Sequence, residues 1–319
     1  MAVVLLAGTV LASLLLGTKS ADLGSTWRAL VAPDGGELAS VVHGLRVPRT
    51  VLGVVAGAAL AVAGAQFQAL TRNALADPGL LGVSAGAALA IVAGTALLGA
   101  LTPPVAAAAA LVGALATSTV VFTLATRGRH GGNPATLIIT GVAVTTLLAS
   151  LTTVIALSDQ ASLDSYRFWL VGALAGRELS LLWSALPLVV FGALVAGGTA
   201  RRLDALVLGD DVARALGTRV ARTRAAVTCS AAALTAAAVA LAGPVTFVGL
   251  VAPHVARALV GPNYTRVLPT CLVLGPVLVL AADVAGRLVI APSEVQTGVV
   301  MALLGAPVLV AVVRRRALL

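Results

Sequence analysis

One acid stands deep inside an apolar stretch of this chain: Asp283, followed one helical turn later by Arg287. A carboxylate in such a place marks a proton or ion relay, a ligand contact or a structural pair. At i,i+4 the two side chains share one helix face and can neutralise each other, so a functional acid and a local stabilising pair both stay open. Other candidates for chemistry are sparse. His43, His130 and His254 fall in loops or at helix ends and read as structural or solvated. Cys229 and Cys271 lie in apolar segments and read as small buried side chains, not a disulfide or a metal pair. The sequence holds no G-x-x-x-x-G-K-[ST] loop to cradle a nucleotide and no H-E-x-x-H or cysteine cluster to hold a metal. No catalytic and no metal-ligating residue is therefore assigned, and the chain is not expected to be an enzyme. With so few ionisable groups inside apolar segments, a proton-coupled transporter or an ATP-independent channel is the weaker reading.

The elements that must position these residues are set by composition. Of 319 residues, 59% are hydrophobic and 10% charged, with a mean hydropathy of +1.05. A soluble domain carries about 25% charged residues. Only lipid can solvate this much apolar surface. The apolar content is mostly Ala, Leu, Val and Gly, with 3% aromatics, which suits close helix–helix contact and not a β-barrel with aromatic girdles. The net charge of +9 reflects arginines in short loops, where they set topology, so nucleic acid is not an expected partner.

Apolar runs predict ten spans, near 1–17, 50–71, 79–99, 104–126, 135–157, 181–200, 225–242, 248–260, 267–290 and 297–313. The first resembles a signal-peptide core without a basic start and reads as a retained helix. The eighth, crowded by Pro244, Pro253 and Pro262, reads as a half-helix that protein must bury. An even count puts both termini on one side. Of the 21 Lys and Arg, fourteen fall in one set of loops, and Lys19, Arg28, Arg46, Arg49, Arg167, Arg177 and Arg287 in the other. The richer set is expected to be cytoplasmic. Three polar stretches interrupt one membrane domain over 1–319: extracytoplasmic loops 18–49 and 158–180, and a cytoplasmic loop 201–224 with six arginines and three aspartates. Loop 158–180 contains Tyr166, Phe168 and Trp169, which suits an interfacial helix.

Several linked blocks carry a resemblance. Leu45-Arg46-Val47-Pro48-Arg49-Thr50, the small-residue run Gly57 to Ala65, Gln68-Ala69-Leu70 and Asn73 to Ser84 stand in one order. Gly243-Pro244-Val245-Thr246-Phe247-Val248-Gly249-Leu250-Val251-Ala252-Pro253-His254 follows, then Ala282-Asp283-Val284 with Arg287, Gly298-Val299-Val300 and Leu304-Gly305-Ala306-Pro307. From about residue 40 onward the chain resembles the FecCD family, permeases of type II ABC importers for iron-siderophores, haem and cobalamin. The resemblance implies an all-α permease with about ten transmembrane helices and both termini cytoplasmic, in the cytoplasmic membrane. It implies two permease subunits around a central path, two separate ABC ATPase subunits carrying ATP and magnesium, and an extracytoplasmic substrate-binding protein. No cofactor is expected on this chain itself. Ferric siderophores are the expected cargo, with haem or cobalamin the alternative.

The same resemblance assigns roles. Arg46, Arg49 and Arg287 match positions that pair with acids of the binding protein, although arginines at helix ends also anchor to headgroups. Leu208, Gly209, Asp210, Asp211, Val212, Arg214, Leu216 and Gly217 fall where the family couples to its ATPase. Here the residues speak independently: Asp210 and Asp211 suit a first helical turn, and Leu208, Val212 and Leu216, four apart, predict an apolar stripe for a partner cleft. Asn73 and Leu75 match an inner gate. A second gate position falls near Asn133 and Pro134, where the sequence departs from the family's small hydroxyl residues. Thr140, Thr145, Thr146, Thr152 and Thr153 could line a wet path or bond the backbone of their own helix. Spans two to five and seven to ten could form an inverted pair.

Overall fold

The computed structural model describes residues 2–17, 23–31, 36–127, 134–290 and 293–317. Among these, regular structure is entirely helical. The helices are α1 (Ala2–Leu15), α2 (Leu23–Val31), α3 (Glu37–Val41), α4 (Val47–Thr71), α5 (Val83–Leu98), α6 (Pro103–Arg127) and α7 (Pro134–Ser158). They continue as α8 (Gln160–Leu170), α9 (Ser180–Val207), α10 (Asp210–Ala215), α11 (Val220–Ala242), α12 (Val248–Val260), α13 (Tyr264–Val289) and α14 (Thr297–Ala317). Each of the ten apolar runs is a helix. Among the described residues, six helices are long and apolar enough to cross a membrane unaided, while those starting at Ala2, Val83, Val248 and Thr297 are shorter.

Two boundaries differ from the sequence reading. The described residues of the loop assigned to 18–49 are largely helical: α3 runs through a wide π turn, Val42–Arg46, straight into α4. Polar residues hid this extension, because hydropathy marks the lipid-facing part of a helix and not its ends. The stretch 201–224, expected to be cytoplasmic, is likewise mostly helix, since α9 continues to Val207 and α11 starts at Val220. Loop 158–180 does hold a helix, α8, capped by Asp159 accepting from the Ser162 amide at 2.9 Å.

The core sits on α4, which packs against α13, α11, α12 and α9. In the most apolar window of α4 with its N-terminal extension, 78% of residues are buried, and 83% in α11, against 11% in α7 and 22% in α9. α4 and α11 are therefore the shielded centre, and α7 and α9 the rim that meets lipid or another subunit. Small residues permit this packing. A Cβ on Gly57 would come within 2.7 Å of the Gly275 backbone, and one on Gly64 would overlap the Gly249 carbonyl, so α4 meets α13 and α12 almost backbone to backbone.

The short α12 explains how an interrupted helix survives here. Pro253 lies inside it and has no N–H for the carbonyl four residues back, which belongs to Gly249. Gln68 of α4 supplies the missing donor, its Nε2 lying 3.0 Å from the Gly249 oxygen. Arg257 orients that amide by donating to Gln68 Oε1 at 2.7 Å.

Candidate functional site

Two polar centres lie at opposite ends of α4. At its N-terminal end, the fully buried Asp283 collects three partners. Arg49 Nε reaches both carboxylate oxygens at 2.9 Å, Arg287 Nη2 donates at 2.8 Å, and Thr297 Oγ1 donates at 2.8 Å. Arg49 also pairs with Glu294 at 2.7 Å. The i,i+4 pair read from the sequence is therefore present, but it is one edge of a larger cluster. Arg287 reaches onward to the carbonyls of Ser13 and Leu16 at 3.0 and 2.9 Å. Arg46 takes those of Leu14 and Leu15 at 3.0 and 2.9 Å. The two arginines thus cap the C-terminal end of α1, where carbonyls lack helical donors and cations are favoured. Ser13 and Thr50 join hydroxyls at 2.8 Å.

The expected docking arginines are accordingly not solvated rim residues. Arg46, Arg49 and Arg287 are 5%, 8% and 3% exposed, because the helical extension carries the first two inward and the acids and carbonyls there take their donors. All three do line one cavity of about 400 Å³ with Gly176, Leu45 and Glu294. The sequence missed Glu294, Thr297 and Ser13, whose polarity is unremarkable until folding brings them together.

At the other end, α4 stops at Arg72, whose φ of 51° is left-handed. The Asn73 side chain accepts from the Leu75 amide at 2.9 Å and Asp77 from the Gly79 amide at 2.7 Å. The two expected gate residues therefore share one Asx turn. Asn133 lies outside the described residues. Thr140 is half-buried on α7, while Thr146, Thr152 and Thr153 bond carbonyls of their own helix at 3.0, 2.7 and 2.9 Å.

Beside the Asn73 turn, α9 ends and the six-residue α10 begins across Gly209, at φ 118°, and closes before Gly217, at φ 77°. Both backbone angles favour glycine. Asp210 and Asp211 occupy the first turn. Leu208, Val212 and Leu216 are 66%, 44% and 63% exposed. They do not form a stripe on one helix, since Leu208 closes α9 and Leu216 follows α10, but all three remain uncovered. Asp210 is the hub. It pairs with Arg72, with Arg224 at 2.8 Å and with Arg214 at 4.0 Å. Arg214 also pairs with Asp211 at 2.7 Å. Arg72 in turn donates its Nε to the Leu206 carbonyl at 3.0 Å. One arginine beside Asn73 thereby ties the end of α4 to α9 and α10. The sequence reading placed Asp210 in the coupling stretch and in a first helical turn, but did not show it as a hub, since Arg72 and Arg224 lie 138 and 14 residues away.

Of the isolated candidates, His43 Nε2 lies 3.1 Å from the Ala29 carbonyl, a structural contact. His130 lies outside the described residues. Cys271 is buried as expected, but Cys229 is exposed, because it shares the outward face of α11 with Arg222, two turns away. Among the described residues, no group of three His, Cys, Asp or Glu could hold a metal ion.

A helical bundle with paired internal charges, an interrupted inner helix and a short exposed helix at one end defines a multi-pass membrane permease. The family model for the FecCD transport family matches residues 5–315, and this chain belongs to that family. It is 42% identical over 308 residues to the ferric enterobactin transport system permease protein FepD of Escherichia coli K12, covering 95% of this chain and 91% of that protein. The cobalamin import system permease protein BtuC of Halobacterium salinarum is 36% identical over 281 residues, covering 88% and 75% of the two chains. A solved structure of a metal-chelate type ABC transporter in an inward-facing conformation superposes with a TM-score of 0.85 at 26% identity, covering 98% of this chain and 97% of that one. The family consists of ABC transporter permease subunits, which are not themselves enzymes.

Proposed function

We propose that this chain is the permease of an ATP-driven importer that moves a ferric siderophore through the cytoplasmic membrane by alternating access, with both termini cytoplasmic. The carrying observation is the link from exposed Leu208, Val212 and Leu216 through Asp210 and Arg72 to the turn holding Asn73 and Leu75. An ATPase subunit, holding ATP and magnesium, takes the uncovered apolar side chains. Its movement pulls on Asp210 and hence on the end of α4. A second permease subunit packs on the exposed α7 rim, where Thr140 faces the path. The binding protein presents acids at the mouth of the cavity floored by Arg46, Arg49 and Arg287, competing there with Glu294. The cargo class follows the 42% identity to a ferric enterobactin permease.

Co-purification with the ATPase tests this. Leu208→Asp is expected to abolish ATPase capture without changing permease yield, because Leu208 is exposed. Capture unchanged by Leu208→Asp, or transport by the permease alone, contradicts the reading. Uptake of haem or cobalamin in place of a ferric siderophore would correct the cargo and leave the mechanism standing.

A further inference from the structure

A second basic centre lies beside the coupling hub and shares Arg214 and Arg224 with it, but two of its arginines, Arg219 and Arg222, take no part in the Asp210 cluster. A cavity of about 720 Å³ opens between the ends of α4, α6, α7 and α11. Its apolar lining includes Leu70, Phe122 and Leu137, and its basic lining includes Arg219, Arg222 and Arg224. Arg224 is committed to Asp210 at 2.8 Å. Arg219 and Arg222 are exposed, and their guanidiniums form no hydrogen bond or ion pair with any described residue. The wall along α11, from Val220 to Thr228, runs about 12 Å down the helix. Charge therefore sits at the helix end, and greasy side chains line the wall on the neighbouring helices.

We propose that this cavity binds one anionic glycerophospholipid from the adjoining leaflet. Its phosphate lies against Arg219 and Arg222, and an acyl chain lies among Leu70, Phe122 and Leu137. A basic pocket between transmembrane helices is the expected form of such a site. The two unpaired guanidiniums supply charge complementarity that a zwitterionic lipid would not use, and the apolar wall supplies contact that a free phosphate would not use. Volume is adequate, since ligand cavities span about 300–1,000 Å³.

Native mass spectrometry of the full-length permease, equilibrated in detergent with equal amounts of phosphatidylglycerol and phosphatidylcholine, tests the site. Wild type is expected to retain phosphatidylglycerol preferentially. Each arginine near an anionic headgroup is worth about a fivefold preference, so the double variant Arg219→Gln with Arg222→Gln should lose about 25-fold. Both side chains are exposed, so the double variant should elute and melt as wild type does. Phe122→Ser should reduce retention of the lipid while leaving both arginines in place. Equal retention of the two lipids by wild type, an undiminished preference in the double variant, or full retention by Phe122→Ser overturns the proposal. Inorganic phosphate retained in place of lipid would overturn it too, in favour of a simple anion site.

Discussion

Asp283 is where a single side chain decides most. It is wholly buried and holds Arg49 and Arg287 together, and through Arg287 it ties α13 to α1. Removing its charge leaves two buried guanidiniums short of a counter-ion, a loss of about 3–5 kcal/mol. Asp283→Asn is therefore expected to lower the unfolding temperature of the purified permease sharply. Glu294, with a 31% exposed side chain, is a weaker partner of Arg49. Glu294→Gln should cost about 1 kcal/mol or less, and the same thermal scan compares the two. The sequence exposed the Asp283–Arg287 pair through its i,i+4 spacing. It could not show Arg49 as the third member, because that contact spans 234 residues and depends on how α4 lies against α13. The same packing buries arginines that a loop assignment had placed at the surface.

Among the elements, α4 and α12 depend on each other most closely. Gly64 faces the Gly249 carbonyl with no room for a methyl group, and Gln68, one turn on, completes the hydrogen bonding that Pro253 interrupts. Gly64→Ala must push the helices apart. It should destabilise the permease by about 3 kcal/mol or prevent folding, as overpacking does, and should lower the yield of monodisperse protein. Gln68→Leu keeps the bulk but leaves the Gly249 carbonyl short of a donor, which costs about 1–3 kcal/mol, measurable by thermal unfolding in detergent. All ten apolar elements were legible in sequence, including the short α12, because hydropathy and proline spacing act within one segment. Helix ends were less legible. A π turn ending at Arg46 leads into α4, whose first turn holds Arg49, and α9 runs on through Arg201 and Arg202. Hydropathy falls at both places while backbone hydrogen bonding continues.

At the scale of the whole molecule, the bundle has a close-packed middle and two polar ends joined by α4. One end clamps α1, α4 and α13 around Asp283. The other gathers the ends of α4 and α9 and the short α10 around Asp210 and Arg72. A helix packed almost backbone to backbone against its neighbours along its length moves as a unit, so force applied at α10 has a route to the turn at Asn73. That route predicts a separation of two activities. Asp210→Asn removes the hub charge but leaves Leu208, Val212 and Leu216 exposed, where the proposed ATPase contact lies. The most direct measurement is ferric siderophore taken up per ATP hydrolysed, in proteoliposomes holding the complete transporter, for wild type and Asp210→Asn. The variant is expected to assemble and hydrolyse ATP while its uptake per ATP falls about tenfold, the loss of a coupling of roughly 1.4 kcal/mol. An unchanged ratio, or uptake that continues without ATP, would contradict the account.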